Sequence, residues 1–342
     1  MMDGMRGPRR IGIIGGGAFG TALADIPAHK GFAVTLWMRE AGLAAEFNAT
    51  HVNSRYLPGI NLSSNIVATS DTAEAVRDAE IVLVSVPSPW FRETIRLFSS
   101  ALTAEQMIIS TTKGLEPGSF KRMSEILAEE TPCRRIGALS GPNLAKEIAA
   151  HRISGTVIAS PHAELIAATQ EAFSCGYFRV YGNPDVQGVE LAGLLKNAYA
   201  IATGIADAME LGDNAKGMLL TRAVTEMGRF AQKSGADPLT FLGLAGIGDL
   251  VTTCTSPLSR NFRVGRLIGQ GRTLEQAVQE LGETAEGVHT VKIVHDQLPQ
   301  LGIRMRILEG LYAVLFEGRN VKEILGGLMN EPQMEDVEFG GK

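Results

Sequence analysis

The 342-residue sequence is short of several things at once, and each shortage removes a class of function. Cysteine occurs only at 133, 175 and 254, an odd, scattered set without metal-ligand or redox spacing, so no disulfide framework is expected and a reducing, cytoplasmic setting follows. No apolar run reaches the roughly 18 residues of a membrane span, and the opening "MMDGMRGPRR" lacks the apolar segment and cleavage site of a secretory leader. Basic residues do not predominate. Lys and Arg number 32 against 37 Asp and Glu, a net charge of -5 that argues against nonspecific nucleic-acid binding, so an anionic ligand must meet locally placed positive groups. Six histidines, at 29, 51, 151, 162, 289 and 295, show no triad-like or metal-like grouping; they read as structural or surface residues, and no metal is expected.

Glycine, by contrast, is plentiful at 39 residues, which suits a parallel sheet with many tight strand-to-helix turns. Short β-rich runs ("RIGIIG", "AVTLWM", "IVLVSV", "MIISTT", "RIGALS", "GTVIAS") alternate with helical stretches as far as Tyr181. Such alternation builds a mostly parallel sheet with right-handed crossovers. After "YGNPD" long helical patterns take over. The expectation is an α/β Rossmann-type dinucleotide-binding domain with a parallel sheet over 1–184, followed by an all-α substrate and catalytic domain over 185–342.

"RIGIIGGGAFGTALA" sets Gly15, Gly17 and Gly20 in a GxGxxG arrangement between the first strand and a helix. Gly15 allows the tight turn, Gly17 lets backbone N–H groups approach a pyrophosphate, and Gly20 lets the helix pack closely on the strand. The helix N-terminus then faces the anion. Pro27, inside this helix, is expected to kink it or end it early. After the second strand, where an acidic residue would grip the ribose 2′-hydroxyl of NAD, the chain has Arg39 and then Glu40. A guanidinium there favours the 2′-phosphate of NADP(H), with NAD(H) left open.

Ligands of open α/β sheets gather beyond the carboxyl ends of the strands, which directs attention to "VPSPW", "STTKGLE" with Lys113, and "SGPNLAKE". From the helical half come Lys196, in the apolar run "VELAGLLKNAYAIATGI", Asp249 after a Gly-x-Gly, and the triplet Ser259, Arg260 and Asn261. A lysine in so apolar a run either snorkels to water or is held in a pocket. The triplet offers hydroxyl, guanidinium and amide donors for a phosphate, although its serine equally fits a helix N-cap. Hydride transfer to a carbonyl needs one acid/base group at the carbonyl oxygen, and a desolvated lysine can serve.

The blocks "GGGAFGTALA", "VPS", "TTKGLE", "LSGPNLAKEI", "LKNAYAIATGI", "GIGDLVTTCTSPLSRN" and "RVGRLIGQG" together resemble NAD(P)-dependent glycerol-3-phosphate dehydrogenase of the bacterial type, over nearly the whole chain. The resemblance implies reversible reduction of dihydroxyacetone phosphate to sn-glycerol 3-phosphate for glycerophospholipid synthesis, and a homodimer. It implies Lys196 as general acid/base, with Lys113 touching cofactor and substrate. Gly141 and Asn143 would lie by the substrate, and Asp249, Ser259, Arg260 and Asn261 would hold it. Ala18, Phe19, Arg39, Ala145, Arg260, Thr284 and Glu286 would contact the cofactor. Asn143 and Ala285 depart from residues frequent in the family at those positions. The competing readings are another two-domain hydroxyacid or hydroxyacyl dehydrogenase, and a non-catalytic NADPH-binding sensor.

Overall fold

A computed structural model describes residues 9–282 and 285–330 of the chain. The chain divides into two compact units, Met1–Val186 and Gln187–Lys342. Thr284 and the acidic stretch from Glu331 onward lie outside the described residues.

Unit 1 alternates strand and helix: β1 (Arg10–Ile14), α1 (Ala18–His29), β2 (Ala33–Trp37), α2 (Ala41–Thr50), β3 (Ile66–Thr69), α3 (Thr72–Val76), β4 (Ile81–Val84) and α4 (Phe91–Phe98). There follow β5 (Met107–Ser110), α5 (Met123–Glu130), β6 (Arg135–Ser140), α6 (Ala145–Ala149), β7 (Ser154–Ala159), α7 (Ala163–Phe173) and β8 (Phe178–Asn183). The eight strands form one sheet in the order β3-β2-β1-β4-β5-β6-β7-β8. Both faces are covered, so the strands are apolar without a polar side. Side chains alternate between two cores: Ile11, Ile13, Ile81 and Leu83 pack with α1, α2, α6 and α7, whereas Ile14, Val82 and Val84 pack with α3, α4 and α5.

The sheet is mostly parallel, as expected, with one exception. Every neighbouring pair is parallel except β6 and β7, which pair antiparallel through Ala138↔Ala159, Leu139↔Ile158 and Ser140↔Val157. The five-residue α6 spans only about 7 Å, against about 20 Å for a six-residue strand, so the chain re-enters the sheet from the end it left. Two strands also escaped the pattern: β3 is only four residues long, and β8 runs directly into the Asn-Pro-Asp turn.

Pro27 does not shorten α1 appreciably. It lies two residues before the helix ends at His29, and its carbonyl accepts the N–H groups of Lys30 and Phe32 that close the turn.

Unit 2 contains α8 (Val186–Ala208, its first residue belonging to unit 1), α9 (Gly212–Lys233), α10 (Asp249–Thr255), α11 (Arg260–Gly269), α12 (Leu274–Leu281), α13 (Glu286–Leu301), α14 (Arg306–Phe316) and α15 (Val321–Met329). From Leu191 to Ala206 every residue of α8 is buried, which accounts for a run that is apolar all round. It crosses α11 at backbone contact. A Cβ on Gly204 would lie 2.1 Å from the Phe262 carbonyl oxygen, and one on Gly265 would lie 2.0 Å from that of Ile201. Among the described residues no helix is long and apolar enough to cross a membrane.

Candidate active site

In unit 1 the candidate residues gather at the carboxyl ends of β1, β4, β5 and β6, on either side of the point where strand order reverses. Gly15 has φ +121°, and a Cβ there would meet the Ser85 carbonyl oxygen at 2.2 Å, so the loop after β1 is pressed against the end of β4. Gly20 is equally constrained, its Cβ direction meeting the Gly15 carbonyl oxygen at 2.0 Å. Gly17 differs: nothing lies within 4 Å of where its Cβ would be. It is also the N-cap of α1 and supplies no side-chain cap, and the first turn carries no acidic residue. First-turn N–H groups of a helix have no intrahelical acceptor and sit at its positive end. The loop therefore fits a pyrophosphate.

Ala18 and Phe19 open α1, Ala145 opens α6, and all three are partly buried against the core on that face of the sheet. After β2, Glu40 is held by Arg55 at 2.6 Å, while the neighbouring Arg39 is exposed. Lys113 donates to the Gly141 carbonyl oxygen at 3.2 Å, linking the turns after β5 and β6. Its loop is anchored from α4, where Arg92 grips both carboxylate oxygens of Glu116 at 2.5 and 2.8 Å and pulls the carboxyl down to about 2. Asn143 is committed to the sheet. Its amide donates to the Gly155 carbonyl at 3.1 Å and accepts from the Thr156 hydroxyl at 2.8 Å, so its side chain acts as a brace between β6 and β7.

In unit 2 the question raised by Lys196 is answered directly. The side chain does not snorkel: Nζ donates to Asp249 Oδ1 at 2.6 Å and to the Thr253 hydroxyl at 2.7 Å, and the residue is 6% exposed. Asp249 is delivered by a tight π-type turn, Leu244–Gly248, that passes straight into α10. Such turns recur at functional sites because they re-aim one side chain out of helical register. Thr253 was not anticipated, although it stands four residues after Asp249 and so shares its helix face. Burial pushes the neighbouring Cys254 thiol up to about 12, which removes it as a nucleophile.

The side chains of the Ser259–Arg260–Asn261 triplet face three different ways. Ser259 is the N-cap of α11, accepting from the Phe262 N–H at 3.3 Å. Asn261 turns inward to donate to Asn197 Oδ1 at 2.9 Å and accept from the Gly287 N–H at 2.9 Å, and Arg260 is exposed. Asn197 in turn donates to Glu286 Oε2 at 3.4 Å. An amide–amide–carboxylate chain thus ties α8, α11 and the first turn of α13 together beside Lys196. Ala285 is buried immediately before it. The pattern that could have exposed this chain is Asn197 adjacent to Lys196 in an apolar run, where a buried amide requires partners.

The histidine reading also needs correction, since His29 and His151 both approach the carboxylate of Asp25. They are 122 residues apart in sequence, and only the packing of α6 beside α1 brings them together.

Sequence models of the NAD-dependent glycerol-3-phosphate dehydrogenase N-terminus and C-terminus match residues 10–166 and 185–326. A glycerol-3-phosphate dehydrogenase [NAD(P)+] of Saccharophagus degradans is 49% identical over 331 residues, covering 97% of this chain and 92% of the relative. The chain belongs to the NAD-dependent glycerol-3-phosphate dehydrogenase family. A relative from Acinetobacter baumannii with the same name is 50% identical over 330 residues, 96% of this chain and 92% of its own. The crystal structure of glycerol-3-phosphate dehydrogenase from Coxiella burnetii superposes with a TM-score of 0.89 at 37% identity, covering 95% of this chain and 99% of that one. Membership of this family makes the protein an NAD(P)-dependent oxidoreductase.

Proposed function

We propose that the protein catalyses the reversible NAD(P)H-dependent reduction of dihydroxyacetone phosphate to sn-glycerol 3-phosphate. The observation that carries this reading is the buried Lys196–Asp249–Thr253 cluster in a chain of this family. Unit 1 holds the dinucleotide through the Gly15–Gly20 loop, with Ala18, Phe19, Arg39, Lys113 and Ala145 around it; Arg260 and Glu286 are further proposed cofactor contacts. The nicotinamide, when bound, supplies a hydride to the carbonyl carbon.

Lys196 donates a proton to the oxygen of that carbon in reduction and recovers it in oxidation. Asp249 and Thr253 fix the direction in which its N–H bonds point. The substrate phosphate pairs with Arg260, while Asn261 keeps Lys196's helix in register; Gly141 and Lys113 are further proposed substrate contacts. Positioning of this kind can lower a barrier by roughly 7–11 kcal/mol in favourable cases. Arg39, next to a glutamate already paired, favours NADP(H) over NAD(H). The chain is further proposed to act as a cytoplasmic homodimer supplying glycerophospholipid synthesis.

The test is NADPH oxidation with dihydroxyacetone phosphate against unphosphorylated dihydroxyacetone. The phosphorylated substrate is expected to react far faster; equal rates, or equal rates with a hydroxyacyl thioester, reject the assignment.

A further inference from the structure

Asp25 belongs to the third turn of α1, away from the phosphate loop that opens the helix, and its side chain is 2% exposed. A buried carboxylate needs donors or a cation. One oxygen, Oδ1, accepts from the Ser63 N–H at 2.8 Å and lies 3.2 Å from His29 Nδ1. The other, Oδ2, lies 3.1 Å from His151 Nε2. The three ligand atoms, one from each residue, all fall within 4.8 Å of one another.

Their disposition is that of a metal-ligand set. Asp25 and His29 are four residues apart on one helix, the spacing that places two side chains over the same spot. His151 follows α6 in a left-handed conformation, φ +53°, which turns its ring back toward α1. That ring is fixed on its other face by stacking on Tyr177, with centroids 4.4 Å apart and planes 18° apart, and it meets His29 edge to face. Both imidazoles are about half exposed, 47% and 45%, so the cluster is open to water on one side.

We propose that Asp25, His29 and His151 bind a zinc-class divalent ion, with water completing the coordination. Two imidazole nitrogens and one carboxylate oxygen with an open position are a zinc donor set; calcium and magnesium prefer all-oxygen shells. A tetrahedral ion with bonds of about 2.0–2.1 Å separates its ligand atoms by about 3.3 Å; the two imidazoles already stand 3.2 and 3.1 Å from the carboxylate, one at each oxygen, and the three ligand atoms lie within 4.8 Å of one another. The ion takes the place of the imidazole protons that now face the carboxylate, and at present His29 Nδ1 also lies 2.9 Å from the Asp25 carbonyl oxygen. Binding would fasten the end of α1 to the segment after α6. This inference is independent of the proposed reaction.

The experiment is titration of chelator-treated full-length protein with zinc chloride against a chromophoric chelator, with thermal unfolding followed in parallel. One equivalent should bind saturably and raise the unfolding midpoint. His29→Gln and His151→Gln should each weaken binding at least tenfold, and the double variant should abolish both effects while keeping the wild-type circular dichroism spectrum. Because both rings are half exposed, these variants are expected to fold. X-ray absorption of the zinc form should show nitrogen and oxygen neighbours, and a Cys133→Ser, Cys175→Ser, Cys254→Ser variant should bind unchanged. Absence of saturable binding, retention of it in the double histidine variant, or sulfur in the coordination shell overturns the proposal.

Discussion

Lys196 and Asp249 form an ion pair of 2.6 Å with side chains only 7% and 2% exposed, and Lys196 also donates to the Thr253 hydroxyl. Breaking such a pair by removing one partner costs about 3–5 kcal/mol, whereas replacing both by apolar groups can be nearly neutral. Lys196→Ala is therefore expected to lower kcat by roughly 100-fold or more and also to lower the unfolding midpoint, with NAD(P)H binding retained. The double variant Lys196→Met, Asp249→Leu separates the two effects. It should recover stability and remain inactive; recovery of turnover would refute an acid/base role for Lys196.

The glycines of the phosphate loop give a contrast between folding and binding. Gly17→Val directs a side chain into open space and should fold normally yet bind NADPH at least tenfold more weakly. Gly20→Val drives its Cβ into the Gly15 carbonyl and should lower the unfolding midpoint as well. Fluorescence titration and thermal melts read both, and undiminished NADPH binding by Gly17→Val would remove the loop as the cradle.

Cofactor choice can be read at one residue. Arg39→Ala should raise the NADPH KM much more than the NADH KM, because only the former carries a 2′-phosphate. An equal change in both constants would reject that contact.

Glu226 predicts a pH dependence of stability. It is fully buried in α9, where it accepts from the Tyr199 hydroxyl at 3.0 Å and the Ile307 N–H at 2.9 Å, and burial pushes its carboxyl up from 4.5 to about 7. Because the folded value is raised, the unfolded chain gives up this proton first. The contribution is complete below pH 4.5, declines as pH rises toward 7, and is lost above it, an amplitude of about 3 kcal/mol. Denaturant midpoints at pH 5 and pH 8 should differ in that direction, and Glu226→Gln should shrink the difference.

Much of this was legible in the chain. "GIIGGGAFG" announces a strand, a turn and a helix start because its glycines answer purely local steric demands, and α8 announces burial because it lacks a polar face. β3 and β8 were less visible, since four residues carry little periodicity and a turn signal masks the end of a strand. The direction of β7 was not legible at all. It depends on how far α6 reaches back along the sheet, a matter of length in space.

The candidate residues divide along the same line. The sequence by itself determined the two textures, the phosphate loop and the presence of a lysine where an apolar residue would pack better, because backbone conformation and side-chain patterning act over a few neighbouring positions. Only the tertiary structure decided that Lys196 pairs with Asp249 and Thr253, that Asn261 faces Asn197, and that His151 joins His29 at Asp25. Lys196 lies 53 and 57 residues from Asp249 and Thr253, Asn261 64 from Asn197, and His151 126 from Asp25. A hydrogen bond depends on a few ångströms between atoms, and that distance is set by how the helices pack.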